Sequence, residues 1–135
     1  MPSIIYALEK LGVSKITVSN RTKQKAQNLK KRFSDINVVD WGNQPDFDMI
    51  INATSLGLSK GDDISLNFEN IDKGKLFYDV IYNPSETNFL RTGKSLGCQV
   101  CNGKMMFIYQ ALEAFKLWHK VEPEINEELK KLLDL

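Results

Sequence analysis

The sequence contains one histidine and two cysteines, so it has little with which to bind a metal. The two thiols, Cys98 and Cys101, are spaced as in some redox and zinc sites, but no second cysteine pair accompanies them. They fall in a short apolar strand-like run, where residues three apart point to opposite faces. Both are read as structural core thiols, and no metal ligand is assigned. No apolar run approaches the ~20 residues that a membrane span needs, and no signal peptide is visible. The expectation is a cytoplasmic protein without membrane contact. Net charge is scarce too: 18 basic against 17 acidic residues leave +1, which argues against a general nucleic-acid binder. Repeats and low-complexity segments are missing, and no G-x-G-x-x-G occurs anywhere in the chain.

What is present is a soluble, globular composition over 135 residues, enough for one domain core and too few for two of ordinary size. Its charge is uneven: between Lys10 and Ser34 there are eight basic residues and no acidic one. Within that stretch, Ile16-Thr17-Val18 is β-branched and apolar and reads as a short buried strand. It turns polar at once into Asn20-Arg21-Thr22-Lys23-Gln24-Lys25, with Thr22 as the expected N-cap of a helix running to Phe33. In an α/β sheet, ligands lie outside the carboxyl ends of strands, which places Asn20 to Lys25 against one. A dinucleotide fold selective for NAD ends its second strand on an acidic residue that bonds the ribose 2′-hydroxyl. Asn-Arg-Thr at that position suits a 2′-phosphate instead. A solvated basic helix start that binds nothing is the plainer alternative.

Strands and helices alternate along the rest of the chain. A helix with apolar residues at 4, 5, 8 and 11 ends near Gly12. Ile36–Val39 is a strand, and Phe47–Asn52 is another, which runs into the small-residue segment Ala53-Thr54-Ser55-Leu56-Gly57. Ser59–Lys75 is a polar loop with one helical turn near Phe68–Ile71, and Lys75–Tyr82 is the next strand. Thr87 caps a helix stopped by Gly97, Cys98–Cys101 is the last strand, and a long helix runs from Met105 to His119. Met105, Met106, Phe107, Ala111, Leu112, Phe115 and Trp118 repeat along it at helical spacing and are read as core, with Met106 placed to serve a site as well. A charged helix over Glu124–Leu133 closes the sequence. This alternation predicts an α/β fold with a parallel sheet, divided into residues 1–120 and a C-terminal helix over 121–135.

Four segments, in order, resemble the C-terminal, NADP-binding half of the shikimate dehydrogenase family. They are Asn20-Arg21-Thr22, Asn52-Ala53-Thr54-Ser55-Leu56-Gly57, Tyr78-Asp79-Val80-Ile81-Tyr82-Asn83-Pro84, and Asn102-Gly103 leading to Met106 and Gln110-Ala111. The resemblance covers Ile4 to about Lys120. It implies a three-layer Rossmann-like domain with a mainly parallel sheet, and an NADPH-dependent reduction of 3-dehydroshikimate to shikimate in aromatic amino-acid and chorismate biosynthesis. On the same footing, Asn20, Arg21 and Thr22 would hold the 2′-phosphate, with Lys25 one helical turn on. Ala53, Thr54 and Ser55 would line the ribose and pyrophosphate. Val80, Gly103 and Met106 would border the nicotinamide, where a side chain at 103 would collide with the ring. Tyr82 and Gln110 would reach the substrate, a phenol and an amide being able to bond its hydroxyls or carboxylate without added charge.

The departures from the family carry their own expectations. The family's catalytic Lys and Asp lie in an N-terminal domain that this sequence does not contain, so no catalytic residue is assigned. The glycine-rich loop and the first strand are missing as well. The chain is therefore expected to be a truncated, inactive piece, with unpaired strand edges repaired by a homo-oligomer or closed by the remaining strands. A quinate/shikimate dehydrogenase of relaxed cofactor choice, or a non-catalytic nucleotide-binding or interaction module, are the competing readings.

Overall fold

The computed structural model describes residues 1–59, 61–64, 66–68 and 71–132. In chain order the elements are α1 (Pro2–Lys10), β1 (Ile16–Ser19), α2 (Lys23–Arg32), β2 (Ile36–Val39), β3 (Met49–Asn52), β4 (Leu76–Asp79), α3 (Asn88–Ser95), β5 (Gln99–Cys101), α4 (Lys104–His119) and α5 (Glu127–Leu132). Every strand pairing is parallel, and helices α2 and α3 make the crossovers from β1 to β2 and from β4 to β5. This is the parallel α/β arrangement that the alternation of strands and helices implied, and it is Rossmann-like, as the resemblance implied.

The sheet is divided. β1 pairs only with β2, and β3–β4–β5 form a separate sheet, so among the described residues no strand joins β1 to β3. Among the described residues the remaining strands leave the gap between β1 and β3 open. Each sheet has its own core. Ile5, Val18, Ala26, Phe33 and Ile36 make the first. The second is built on Phe77, fully buried, with Phe68, Phe89 and Leu90 around it. Its rings meet edge-on or tilted, with centroids 5.1 Å apart for Phe68–Phe77 and for Phe77–Phe89. Helix α3 approaches β4 closely because residue 93 is glycine: a Cβ there would stand 2.6 Å from the Phe77 ring.

Several local expectations need correction. Thr22 occupies the N-cap of α2, but its side chain makes no capping bond; the turn is held by Asn20 Oδ1, which accepts from the Thr22 amide at 2.9 Å. The Lys25 amide, which a capping hydroxyl would take, donates to the Thr22 carbonyl at 2.9 Å instead. Thr87 does cap α3, its hydroxyl accepting from the Leu90 amide. The apolar residues of α4 are mostly not core: Ile108 alone is buried, while Phe107, Phe115 and Trp118 are exposed, Trp118 by 77%. The helix is apolar on too many sides for one sheet to cover, so periodicity could not single out a buried face. The thiols also differ from expectation, since Cys98 packs beside the Phe77 core but Cys101 is exposed on the outer strand β5. The predicted helical turn near Phe68–Ile71 lies partly outside the described residues, as does the end of the last helix at Leu133.

Candidate functional site

Because every strand is parallel, the loops that follow β1, β3, β4 and β5 start from carboxyl ends, where an α/β sheet presents its ligands. The β3 and β4 ends are fixed by one buried cluster. Asn52 and Asp79 are register partners, and both are almost sealed from solvent. Asp79 Oδ1 accepts from Asn52 Nδ2 at 3.1 Å and from the Ile81 amide at 3.0 Å, and its Oδ2 accepts from the Thr87 hydroxyl at 2.7 Å. Asn52 Nδ2 also donates to the Leu56 carbonyl, while Asn52 Oδ1 accepts from the Thr54 amide and hydroxyl. One carboxyl group thus sets the bend after β4, the start of α3 and the loop after β3. Burying it is tolerable because each oxygen is bonded.

The predicted site residues fall into three groups around this frame. On the loop after β1, Asn20 shapes the turn, and Arg21, Thr22 and Lys25 are exposed. Lys23 is neutralised by Asp40 at 2.7 Å, whereas Arg21 and Lys25 form no ion pair among the described residues. On the loop after β3, the Thr54 hydroxyl is spent on the loop itself, donating to Asn52 Oδ1 and accepting from the Leu56 amide at 3.1 Å. Ser55 is exposed, Ala53 half-buried. Beyond β4, Val80 packs against Gly103. An added Cβ at 103 would lie 2.0 Å from the Val80 carbonyl oxygen, so glycine is demanded by backbone, before any ligand is considered. The Gly103 amide donates to the Ile81 carbonyl at 3.0 Å, tying the start of α4 to this bend. Tyr82 stacks on Phe107 with ring centroids 4.7 Å apart. Met106, Phe107 and Gln110 share a face of α4, and Tyr82 is brought to it by that stack.

Asn52, Asp79 and Thr87 hold the frame, although sequence reasoning gave Thr87 only a helix cap and the other two no role. The available signal was a polar residue closing each of two adjacent apolar strands. A cavity of about 550 Å³ lies between β1 and β3 and takes in Ala53 and Thr54, but not Arg21, Ser55, Tyr82, Gly103 or Gln110. No group of three His, Cys, Asp or Glu side chains among the described residues is arranged to hold a metal ion. No described helix is long and apolar enough to cross a membrane.

No family model matches the sequence. Individual relatives match it over nearly its whole length. A shikimate dehydrogenase (NADP(+)) of Pelagibacter ubique is 56% identical over 133 residues, covering 98% of this chain and 50% of that protein. Its namesake in Maridesulfovibrio salexigens is 40% identical, with 96% and 49% covered. The chain thus spans about half the length of the curated relatives it matches. Among solved structures, shikimate 5-dehydrogenase from Thermus thermophilus, in complex with NADP(H) and shikimate, superposes with a TM-score of 0.79 at 30% identity over 90% of this chain and 46% of that one. Quinate dehydrogenase from Corynebacterium glutamicum, in complex with NAD, superposes with a TM-score of 0.81 at 27% identity over 99% and 51%. Sequence and fold agree on the same relatives: over nearly its whole length, the chain is similar to about half of a shikimate dehydrogenase.

Proposed function

We propose that this chain is the NADP-binding part of a shikimate dehydrogenase, with Arg21 selecting NADP over NAD. The observation that carries the reading is the pair of uncommitted cations, Arg21 and Lys25, at the carboxyl end of β1, with Lys23 alone occupied by Asp40. A guanidinium offers a forked contact to a phosphate, and a second cation one turn along adds Coulomb attraction. Asn20 and Thr22 set the backbone that presents them. Ala53 and the free hydroxyl of Ser55 suit the ribose and pyrophosphate, while Thr54 acts through loop shape. Val80, Gly103 and Met106 border the nicotinamide, and Tyr82 and Gln110 face the substrate. When bound, NADPH would supply the hydride for reducing 3-dehydroshikimate to shikimate.

The 135 residues by themselves are proposed not to turn over shikimate. Reduction of a carbonyl needs a proton delivered as charge develops on its oxygen. Tyr82 and Gln110 are uncharged binding groups, and no acid–base pair is assigned beside them. Calorimetry of NADP⁺ and NAD⁺ binding, with Arg21→Ala in parallel, tests the reading. NADP⁺ should bind more tightly than NAD⁺, and the substitution should weaken NADP⁺ by about tenfold or more, the worth of a charge-assisted contact, while leaving NAD⁺ nearly unchanged. Equal loss for both cofactors, or no preference in the unaltered chain, would refute the assignment of Arg21. Turnover of shikimate or quinate with NADP⁺ would overturn the expected inactivity.

A further inference from the structure

Three cations, Arg21, Lys23 and Lys25, stand on the turn after β1 and the start of α2, and one acidic side chain answers them. Asp40 Oδ1 lies 2.7 Å from Lys23 Nζ, and no other carboxylate forms an ion pair with these cations among the described residues. Asp40 stands where the fold puts it. It follows Val39, the register partner of Ser19, and its carbonyl accepts from the Ser19 hydroxyl at 3.2 Å and from the Asn43 amide at 3.1 Å. The second bond closes a four-residue turn whose third residue, Gly42, has a φ of +93°, so the chain doubles back just beyond β2. Lys23 has no such anchor. It is the first residue of α2, its side chain is 67% exposed, and Asp40 decides where its ammonium points.

We propose that Asp40 is a specificity-determining residue: as an internal counter-anion it holds Lys23 aside, and it thereby weakens the preference for a 2′-phosphate that Arg21 and Lys25 create. This rests on the assignment of the β1 loop to that phosphate. The first turn of α2 contains no acidic residue, so the positive end of the helix adds to the three side chains. An incoming phosphate meets this field less the charge of Asp40. It gains Lys23 only by displacing a carboxylate already in contact, an exchange of one anion for another with little net return. Without the carboxylate, the ammonium is free to swing on its four-carbon stem toward the phosphate. NAD carries no phosphate at the 2′ position and gains nothing from a released Lys23. Asp40 therefore bears on the choice between cofactors more than on cofactor binding as such.

Calorimetry with NADP⁺ and NAD⁺ on Asp40→Asn, Lys23→Gln and the double variant, beside Arg21→Ala, provides the test. Asparagine keeps both backbone bonds of residue 40 and suits the first position of a turn, so the substitution separates the charge from the fold. Asp40→Asn should tighten NADP⁺ by about threefold to fivefold, the worth of an exposed charge pair, and leave NAD⁺ within about twofold. Lys23→Gln should change neither cofactor by more than about twofold in the original chain, yet erase the gain in the Asp40→Asn background. Equal tightening of both cofactors would make Asp40 a structural residue, and a gain that survives Lys23→Gln would make it a direct repulsion. Weaker NADP⁺ binding on Lys23→Gln alone would place Lys23 on the phosphate already. Each of these overturns the proposal. So does an unchanged Asp40→Asn while Arg21→Ala still weakens NADP⁺, an outcome that leaves the reading of Arg21 intact. If the unaltered chain shows no preference for NADP⁺, the reading of Arg21 fails and this proposal falls with it.

Discussion

The carboxyl group of Asp79 has no water to turn to, and its neighbours donate to it: a side-chain amide, a backbone amide and a hydroxyl. Asp79→Asn keeps the shape but replaces one acceptor oxygen by an amino group, which either faces the Thr87 hydroxyl or displaces two donors from the other oxygen. The variant should lose about 1–3 kcal/mol in urea unfolding, the range for unsatisfied buried partners. A loss under about 0.5 kcal/mol would mean that the cluster relaxes freely. This scale was the least legible in the sequence. Arg21 could be singled out because a cation at a strand end has few structural uses. Thr54 could not be classified, since a hydroxyl that shapes its own loop and one that faces a ligand are the same residue until partners are known. Gly103 was marked as intolerant of a side chain because of a bound ring, and the Val80 carbonyl adds a reason within the chain itself, since it already fills that space.

Among the elements, α3 and β4 show how a glycine can outweigh helix propensity. Gly93→Ala would gain up to about 1 kcal/mol of intrinsic helix stability. It would also press a methyl group into the fully buried Phe77, an overpacking that costs roughly 1–3 kcal/mol. Net destabilisation is expected in thermal or urea melts, and a stabilised variant would show that Phe77 yields easily. The approach to β3 and the start of β4 are clasped by Lys75, whose ammonium lies 2.9 Å from Asp46 Oδ1. Hydrogen bonding to Lys75, then its charge, holds the Asp46 carboxyl below the ordinary value of 3.8. A depressed carboxylate contributes its stability above the unfolded value and loses it as pH falls through the folded one. The urea midpoint should therefore drop on acidification below about pH 4, and the drop should be smaller in Asp46→Asn. Equal drops in both chains would remove the clasp as a contributor. The order and type of these elements were legible because the strands are short apolar runs between polar turns. Their ends were not: β4 closes at Asp79, three residues before the predicted end, because the Asp79 carboxyl captures the Ile81 amide that a longer ladder would have used.

At the scale of the molecule, the parallel α/β architecture followed from alternation alone, and the missing connection between β1 and β3 was foreseen from the absent first strand. What no sequence pattern revealed is that the halves keep separate cores, one largely aliphatic around Val18 and Ile36, the other aromatic around Phe77. Separate cores permit separate opening. Native-state hydrogen exchange should show two levels of protection, the α1–β1–α2–β2 half opening at lower free energy than the half around Phe77. A single common level for both would show that the halves unfold as one. The positions of the two tryptophans then govern what spectroscopy can report. Trp41 lines the cavity between β1 and β3, and Trp118 stands exposed near the end of α4, so neither indole belongs to the phenylalanine cluster that underlies the Asn52–Asp79 frame. Intrinsic fluorescence would follow that cavity and the helix end. A melting curve recorded by emission alone would therefore describe the surroundings of two side chains, whereas one recorded by far-ultraviolet circular dichroism would describe the helices and strands of both halves.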